Sequence, residues 1–119
     1  MIKVYICASL RPAVYERVTE ILRNLPPAIH LRPWGAQKGD RMGHVETDVA
    51  MINHADQLWL VGEYGRDCSW ELGYAMGIGK PIKIFMDDSN ASRIEDDWML
   101  YHGLNLGLLE IIDLRKGYP

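Results

Sequence analysis

Apolar and polar positions alternate along this chain in a way that predicts its elements one by one. Lys3 to Ala8 is a short, mostly apolar, β-branched run, which predicts a buried strand. Pro12 suits a first helical position, and Val14, Val18, Ile21, Leu22 and Leu25 follow at helical spacing. Pro26-Pro27 ends that helix. Ala28 to Trp34 predicts a second strand, held at a sheet edge by Pro33. Gly35 to Gly43 is polar and predicts a loop. A second helix follows from about Gly43 to Ala55, with Val45, Val49 and Ile52 on its core face. Gln57–Val61 reads as the third strand and Gly62–Asp67 as the turn after it. Ser69 to Ile78 reads as the third helix, with Gly79 as its stop. Pro81–Met86 is the fourth strand, Ser92–Tyr101 a further helix, and Gly107–Asp113 a short fifth strand.

Strands that alternate with helices imply an α/β fold with a parallel sheet and helices on both faces. Right-handed crossovers make it a small doubly wound, flavodoxin-like sheet of about five strands, with expected order 2-1-3-4-5. In that order the winding reverses between strands one and three, and ligands bind at the carboxyl ends of those strands. Ser9, Leu10 and Arg11 therefore share a crevice with residues 62–71.

Composition narrows the function classes. The chain has 119 residues, which fits one domain spanning 1–119. It carries 13 Lys and Arg against 16 Asp and Glu, with no basic run, so polymeric nucleic acid is a poor partner. No apolar run approaches the roughly 20 residues of a membrane span, and the opening segment does not read as a secretory signal. Cys7 and Cys68 have neither a disulfide framework nor metal spacing, and they read as small buried fillers. His30, His44, His54 and His102 also lack ligand spacing. We therefore expect a cytoplasmic protein with no metal and no cofactor.

Several polar residues fall on the crevice without having been chosen for it. Counting 100° per residue from Val45, Val49 lies at about 40°, Ile52 at about −20° and Asp48 at about −60°. Asp48 thus borders the apolar stripe, where a carboxylate is costly unless it is paired, used or able to reach water. Asp67 and Ser69 read as helix caps, at least one of them in that role. Glu71 reads as a first-turn carboxylate kept ionised by the helix dipole, and an ionised carboxylate in a crevice can be a nucleophile. Ser9 and Arg11 beside a helix N-terminus can hold a phosphate, or be a strand-end serine and a surface arginine. Trp34, Trp59, Trp70 and Trp98 read mostly as core, with Trp70 able to border the crevice. Gly73, Ala75, Gly77 and Gly79 suggest close packing of helix on sheet.

The stretch from Gly65 through Asp67, Ser69, Trp70 and Glu71-Leu72-Gly73-Tyr74-Ala75, then Gly79-Lys80-Pro81-Ile82, resembles the nucleoside 2-deoxyribosyltransferase superfamily. Glu46-Thr47-Asp48-Val49 and His54-Ala55-Asp56 are similar to that family's second helix and its exit. Tyr5-Ile6-Cys7-Ala8-Ser9-Leu10-Arg11 resembles the 2'-deoxynucleoside 5'-phosphate N-hydrolase branch. The resemblance implies that Glu71 attacks the anomeric carbon and forms a covalent glycosyl-enzyme. It implies that Asp48 positions the substrate and assists proton transfer to the base, and that Tyr5 orients Glu71. Ser9, Arg11, Gly65, Asp67, Ser69 and Trp70 are the expected substrate-binding residues. The chain departs from the family at Gly65, where many members carry Asp or Ser; Asp67 is the nearest acid.

Hydrolysis of a nucleoside 5'-monophosphate is the first expectation. Base exchange by a deoxyribosyltransferase is the alternative, and a non-catalytic nucleotide-binding module is a third. A receiver domain would need acids after the first strand, where Cys7-Ala8-Ser9 supplies none. The resemblance also implies a homodimer or higher homo-oligomer, consistent with the open crevice expected of so small a domain.

Overall fold

The computed structural model describes residues 1–33 and 41–117, with backbone alone for 41–43. Five parallel strands form one sheet in the order β2-β1-β3-β4-β5. They are β1 (Lys3–Cys7), β2 (Ile29–Leu31), β3 (Gln57–Val61), β4 (Ile82–Met86) and β5 (Leu109–Asp113). The helices between them are α1 (Pro12–Arg23), α2 (Arg41–His54), α3 (Arg66–Gly77), α4 (Ala91–Glu95) and α5 (Trp98–Asn105). The expected strand order and fold class are those observed.

Strand parity distributes the core. Val4 and Ile6 of β1 point to one face and pack with Val14, Val18 and Leu22 of α1 and with Trp59, Val61 and Phe85. Tyr5 and Cys7 point to the other face and pack with Ile52 of α2, Cys68, Leu72 and Ala75 of α3, Ile94 of α4 and Leu100 of α5. The coverage is uneven, because among the described residues α1 is the one long helix on its face. Lys83 stands beside Glu110 in the β4–β5 register and next to Trp59 in the β3–β4 register, so the sheet there carries charge as well as apolar surface. The register Val4–Gln57 through Cys7–Leu60 brings the carboxyl ends of β1 and β3 level.

Several boundaries differ from expectation, each for a local reason. β2 is confined to Ile29–Leu31 at the sheet edge. Trp34 and residues 35–40 of the expected loop lie outside the described residues, while residues 41–43 already belong to α2. The single helix expected over Ser92–Tyr101 is two, because Asp97 accepts from the Leu100 N–H and restarts the chain as α5. α3 does stop at Gly79, whose φ of +74° carries the turn. The Gly79 N–H bonds to the Met76 carbonyl and the Lys80 N–H to the Ala75 carbonyl, which is a Schellman closure. Lys80 then gives its ammonium to the carbonyls of Asn53 and Ala55 at the end of α2. The Lys80-Pro81 pair is thereby a structural clasp between α2 and β4.

Gly73, Gly77 and Gly79 do not serve close packing. A Cβ at any of them would meet nothing within 4 Å. The sheet-facing side of α3 is made by Cys68, Glu71, Leu72 and Ala75, so the glycines face outward. Gly62 does carry a positional demand. Its φ is +72°, and a Cβ there would lie 3.0 Å from Val18. It turns the chain from β3 toward the crevice, and Asn90 fixes its carbonyl from below.

Candidate active site

Two adjoining hollows of about 430 and 610 Å³ open at the carboxyl ends of β1 and β3, where the winding reverses. Tyr5, Ser9, Gly65, Arg66, Cys68 and Pro33 line the smaller one. His44, Val45 and Trp70 line the larger. Leu10, Asp48, Asp67 and Glu71 border both.

Glu71 forms the floor. It is buried, on the sheet-facing side of α3, above β1. The Tyr5 hydroxyl donates to its Oε2 at 2.6 Å, and the Cys7 thiol to its Oε1 at 3.4 Å. β1 parity explains both contacts, because residues 5 and 7 share the face that α3 covers. Burial pushes the Glu71 carboxyl up to about 7, and the charges of Asp48 and Asp67 add to the rise. The bonds from Tyr5 and Cys7 oppose it without reversing it. Burial first, then the negative charge of Glu71, push the Tyr5 phenol far above its ordinary value, so it remains a donor.

This corrects the expectation that a helix dipole keeps Glu71 ionised. α3 starts at Arg66, earlier than Ser69, which leaves Glu71 beyond the first turn, where the dipole is weak. Desolvation then dominates. The capping expectation for Asp67 and Ser69 fails for the same reason. Gly65 occupies the N-cap with no side-chain bond, and Asp67 and Ser69 are already helical.

Asp48 reaches the crevice because α2 begins at the carboxyl end of the sheet and its early turns overhang the opening. Val45, expected in the core, is 48% exposed there, while Ile52, further down α2, is fully buried. Trp70 is 55% exposed and stacks on Tyr74 with centroids 5.4 Å apart, so it is wall and not core. Trp98 is exposed as well; Trp59 is the buried one among the described tryptophans.

Tyr5, Ser9, Asp48, Gly65, Asp67, Trp70 and Glu71 are thus brought together. Arg11 and Ser69 are not. Arg11 forms an exposed ion pair with Glu63, and the Ser69 hydroxyl donates to the Gly65 carbonyl at 3.4 Å. Sequence reasoning missed Cys7 as a partner of Glu71 and His44 as part of the wall. Strand parity signalled the first; nothing in the sequence signalled the second, which follows from the overhang of α2.

Tyr5→Phe removes the stronger bond to the Glu71 carboxylate, and a bond to a charged group contributes about 1.5–3 kcal/mol. We expect the Glu71 carboxyl to titrate roughly one to two units higher in that variant, read by carboxyl carbon NMR. An unchanged titration would mean that the contact is not made in solution.

No family model and no curated protein sequence matches the chain. Solved structures do. A 2-deoxyribosyltransferase from the psychrotolerant bacterium Bacillus psychrosaccharolyticus aligns with TM-score 0.64 and 21% identity, over 82% of this chain and 79% of that one. A conserved protein from Enterococcus faecalis V583 aligns with TM-score 0.65 and 16% identity, over 95% of this chain and 91% of that one. The chain therefore has the flavodoxin-like fold found in a deoxyribosyltransferase.

Proposed function

We propose that the protein is an enzyme that cleaves the N-glycosidic bond of a nucleoside 5'-monophosphate, with Glu71 as nucleophile. The observation that carries this reading is the buried Glu71 carboxylate, held at 2.6 Å by Tyr5 on the floor of the switch-point crevice that Asp48 also borders. The fold shared with a 2-deoxyribosyltransferase supports it.

A Glu71 oxygen attacks the anomeric carbon, and the bond from that carbon to the base breaks, its electron pair leaving with the base. Asp48 positions the substrate and assists protonation of the departing base. Tyr5 holds Oε2 so that the carboxylate keeps one orientation. Water then attacks the anomeric carbon of the glycosyl ester and gives its proton to Asp48, the bond from that carbon to the Glu71 oxygen breaks, the sugar leaves with the hydroxyl, and the Glu71 carboxylate is restored. Two displacements give net retention, the logic of a retaining glycosidase with a base as leaving group. Trp70, more than half exposed on the wall, offers an aromatic platform for the base. Trp70→Ala should raise KM about 10-fold, since base stacking contributes about 1–3 kcal/mol per base.

The monophosphate is favoured by Ser9 in the crevice and Arg11 at the start of α1. The Arg11–Glu63 pair is exposed on both sides, and such pairs contribute about 0.2–1 kcal/mol, so a phosphate of nearly two charges can displace Glu63. Arg11→Ala should raise KM for monophosphates about 10- to 100-fold, the range of a charged hydrogen bond, and leave KM for nucleosides unchanged. The second reading, base exchange on unphosphorylated deoxynucleosides, is favoured by the position of Arg11 outside the crevice lining.

Incubation with deoxynucleosides and their monophosphates, with and without a second free base, tests the proposal. Base release from monophosphates alone supports the hydrolase. Base exchange on nucleosides replaces it with the transferase. Tight nucleotide binding without base release leaves a binding module. We also read the open crevice as completed by a second copy of the chain, with exposed Trp98 and Met99 of α5 as apolar surface for the contact. A monomeric mass by light scattering in a fully active sample would refute that.

A further inference from the structure

Among the described residues, Cys7, Cys68 and Glu71 stand apart as a compact donor cluster. One ligand atom from each lies within 4.8 Å of the others, and all three residues are buried. Both thiols are free. Cys68 and Glu71 lie one turn apart on the inner side of α3, and Cys7 ends β1 directly beneath them. Cys68 and Glu71 also line the smaller hollow, so the cluster can be reached from the crevice.

We propose that Cys7, Cys68 and Glu71 form a binding site for a thiophilic divalent cation of the zinc class, and that filling it silences the crevice. Two sulfurs and one carboxylate oxygen are a donor set for zinc or cadmium, not for magnesium or calcium, which need several oxygens. Three protein ligands leave a fourth position, which faces the hollow and takes water. Tetrahedral zinc with Zn–S bonds of about 2.3 Å and a Zn–O bond of about 2.0 Å places the two sulfurs ~3.8 Å apart and each sulfur ~3.5 Å from the oxygen, so atoms now within 4.8 Å of one another close in by about 1.3 Å at most. Both thiols lose a proton to solvent as the metal–sulfur bonds form. Cys7 gives up its contacts with Glu71 and with the Cys68 carbonyl, while Tyr5 can keep its bond to Glu71. The lone pair that Glu71 would use on the anomeric carbon is then committed to the metal. The silencing rests on the function proposed above; the site itself does not.

Cadmium titration of the full chain, kept reduced with a phosphine, tests the site through the ultraviolet charge-transfer absorption of cadmium–thiolate bonds. We expect the band to saturate at one cadmium per chain, to be displaced by zinc, and to be lost in Cys7→Ser and in Cys68→Ser. Absence of the band in the wild-type protein overturns the proposal, and this result needs no variant to fold. A band that survives in the folded double variant overturns it too. Zinc should then reduce base release in proportion to occupancy, with recovery on chelation. Full activity with the site filled overturns the silencing. A protein that gives the band on cadmium binding but, when free of metal, never releases base overturns the proposed activity and leaves the site standing.

Discussion

Glu71→Gln should abolish base release, with kcat down by about 10³-fold or more, the scale set by removing a catalytic nucleophile. The amide keeps the shape of the carboxylate and can still accept from the Tyr5 hydroxyl, so the pocket is not emptied. It has no charge with which to attack carbon, and no glycosyl ester can form. KM should stay within a few-fold, because the crevice walls that bind substrate are untouched. Glu71→Ala is the poorer probe, since it strands the Tyr5 hydroxyl in a buried site. The wild-type profile supplies a companion result. In the proposed mechanism only ionised Glu71 attacks, and its carboxyl titrates at about 7, so kcat/KM should climb as pH rises through neutrality. Stopped assays of both proteins across pH 5 to 9 measure this. Undiminished turnover in Glu71→Gln would remove Glu71 from the mechanism.

Much of this arrangement is visible in the pattern of residues. Strand–helix alternation forces a parallel sheet, and handedness with strand order places the crevice. That places Ser9, Asp48, Asp67 and Glu71 around one opening from the pattern alone, while Tyr5 enters only through the family resemblance. What is not legible is decided by small shifts along each helix. The earlier start of α3 turns Asp67 from a cap into a wall residue and moves Glu71 out of reach of the dipole. A periodicity count assigns Val45 to the core, because it cannot show that α2 overhangs the sheet. The glycines of α3 suggest close packing, but their spacing does not say which side of the helix faces the sheet. Arg11 is in the expected place in the chain, yet Glu63, distant in sequence and close in space, sets its direction. For α3 the deciding fact is where the helix starts; for Val45, the glycines and Arg11 it is a tertiary neighbour.

The same Glu71→Gln substitution should stabilise the protein at alkaline pH even as it silences it. The carboxyl titrates at about 7 when folded, against an ordinary value of 4.5 when unfolded. Below about 4.5 both states hold the proton and the site contributes nothing to the pH dependence. Between 4.5 and 7 the folded state binds the proton and the unfolded state does not, so stability falls as pH rises. Above 7 both are ionised and the full deficit persists. At about 1.4 kcal/mol per unit, the burial of this charge costs about 3 kcal/mol as an upper figure. Glutamine carries no such charge. The variant and the wild type should therefore melt together near pH 4 and diverge toward pH 8, with the variant several degrees higher. Titrating groups that do not interact with Glu71 are common to both proteins and cancel in the difference; Asp48 and Asp67, whose charges add to the Glu71 shift, are part of the cost being read. A stability difference between variant and wild type that is the same at pH 4 and pH 8 would show that the site has no stored cost. The expected divergence would identify Glu71 as a position where the fold gives up stability for a carboxylate that a core residue would not need.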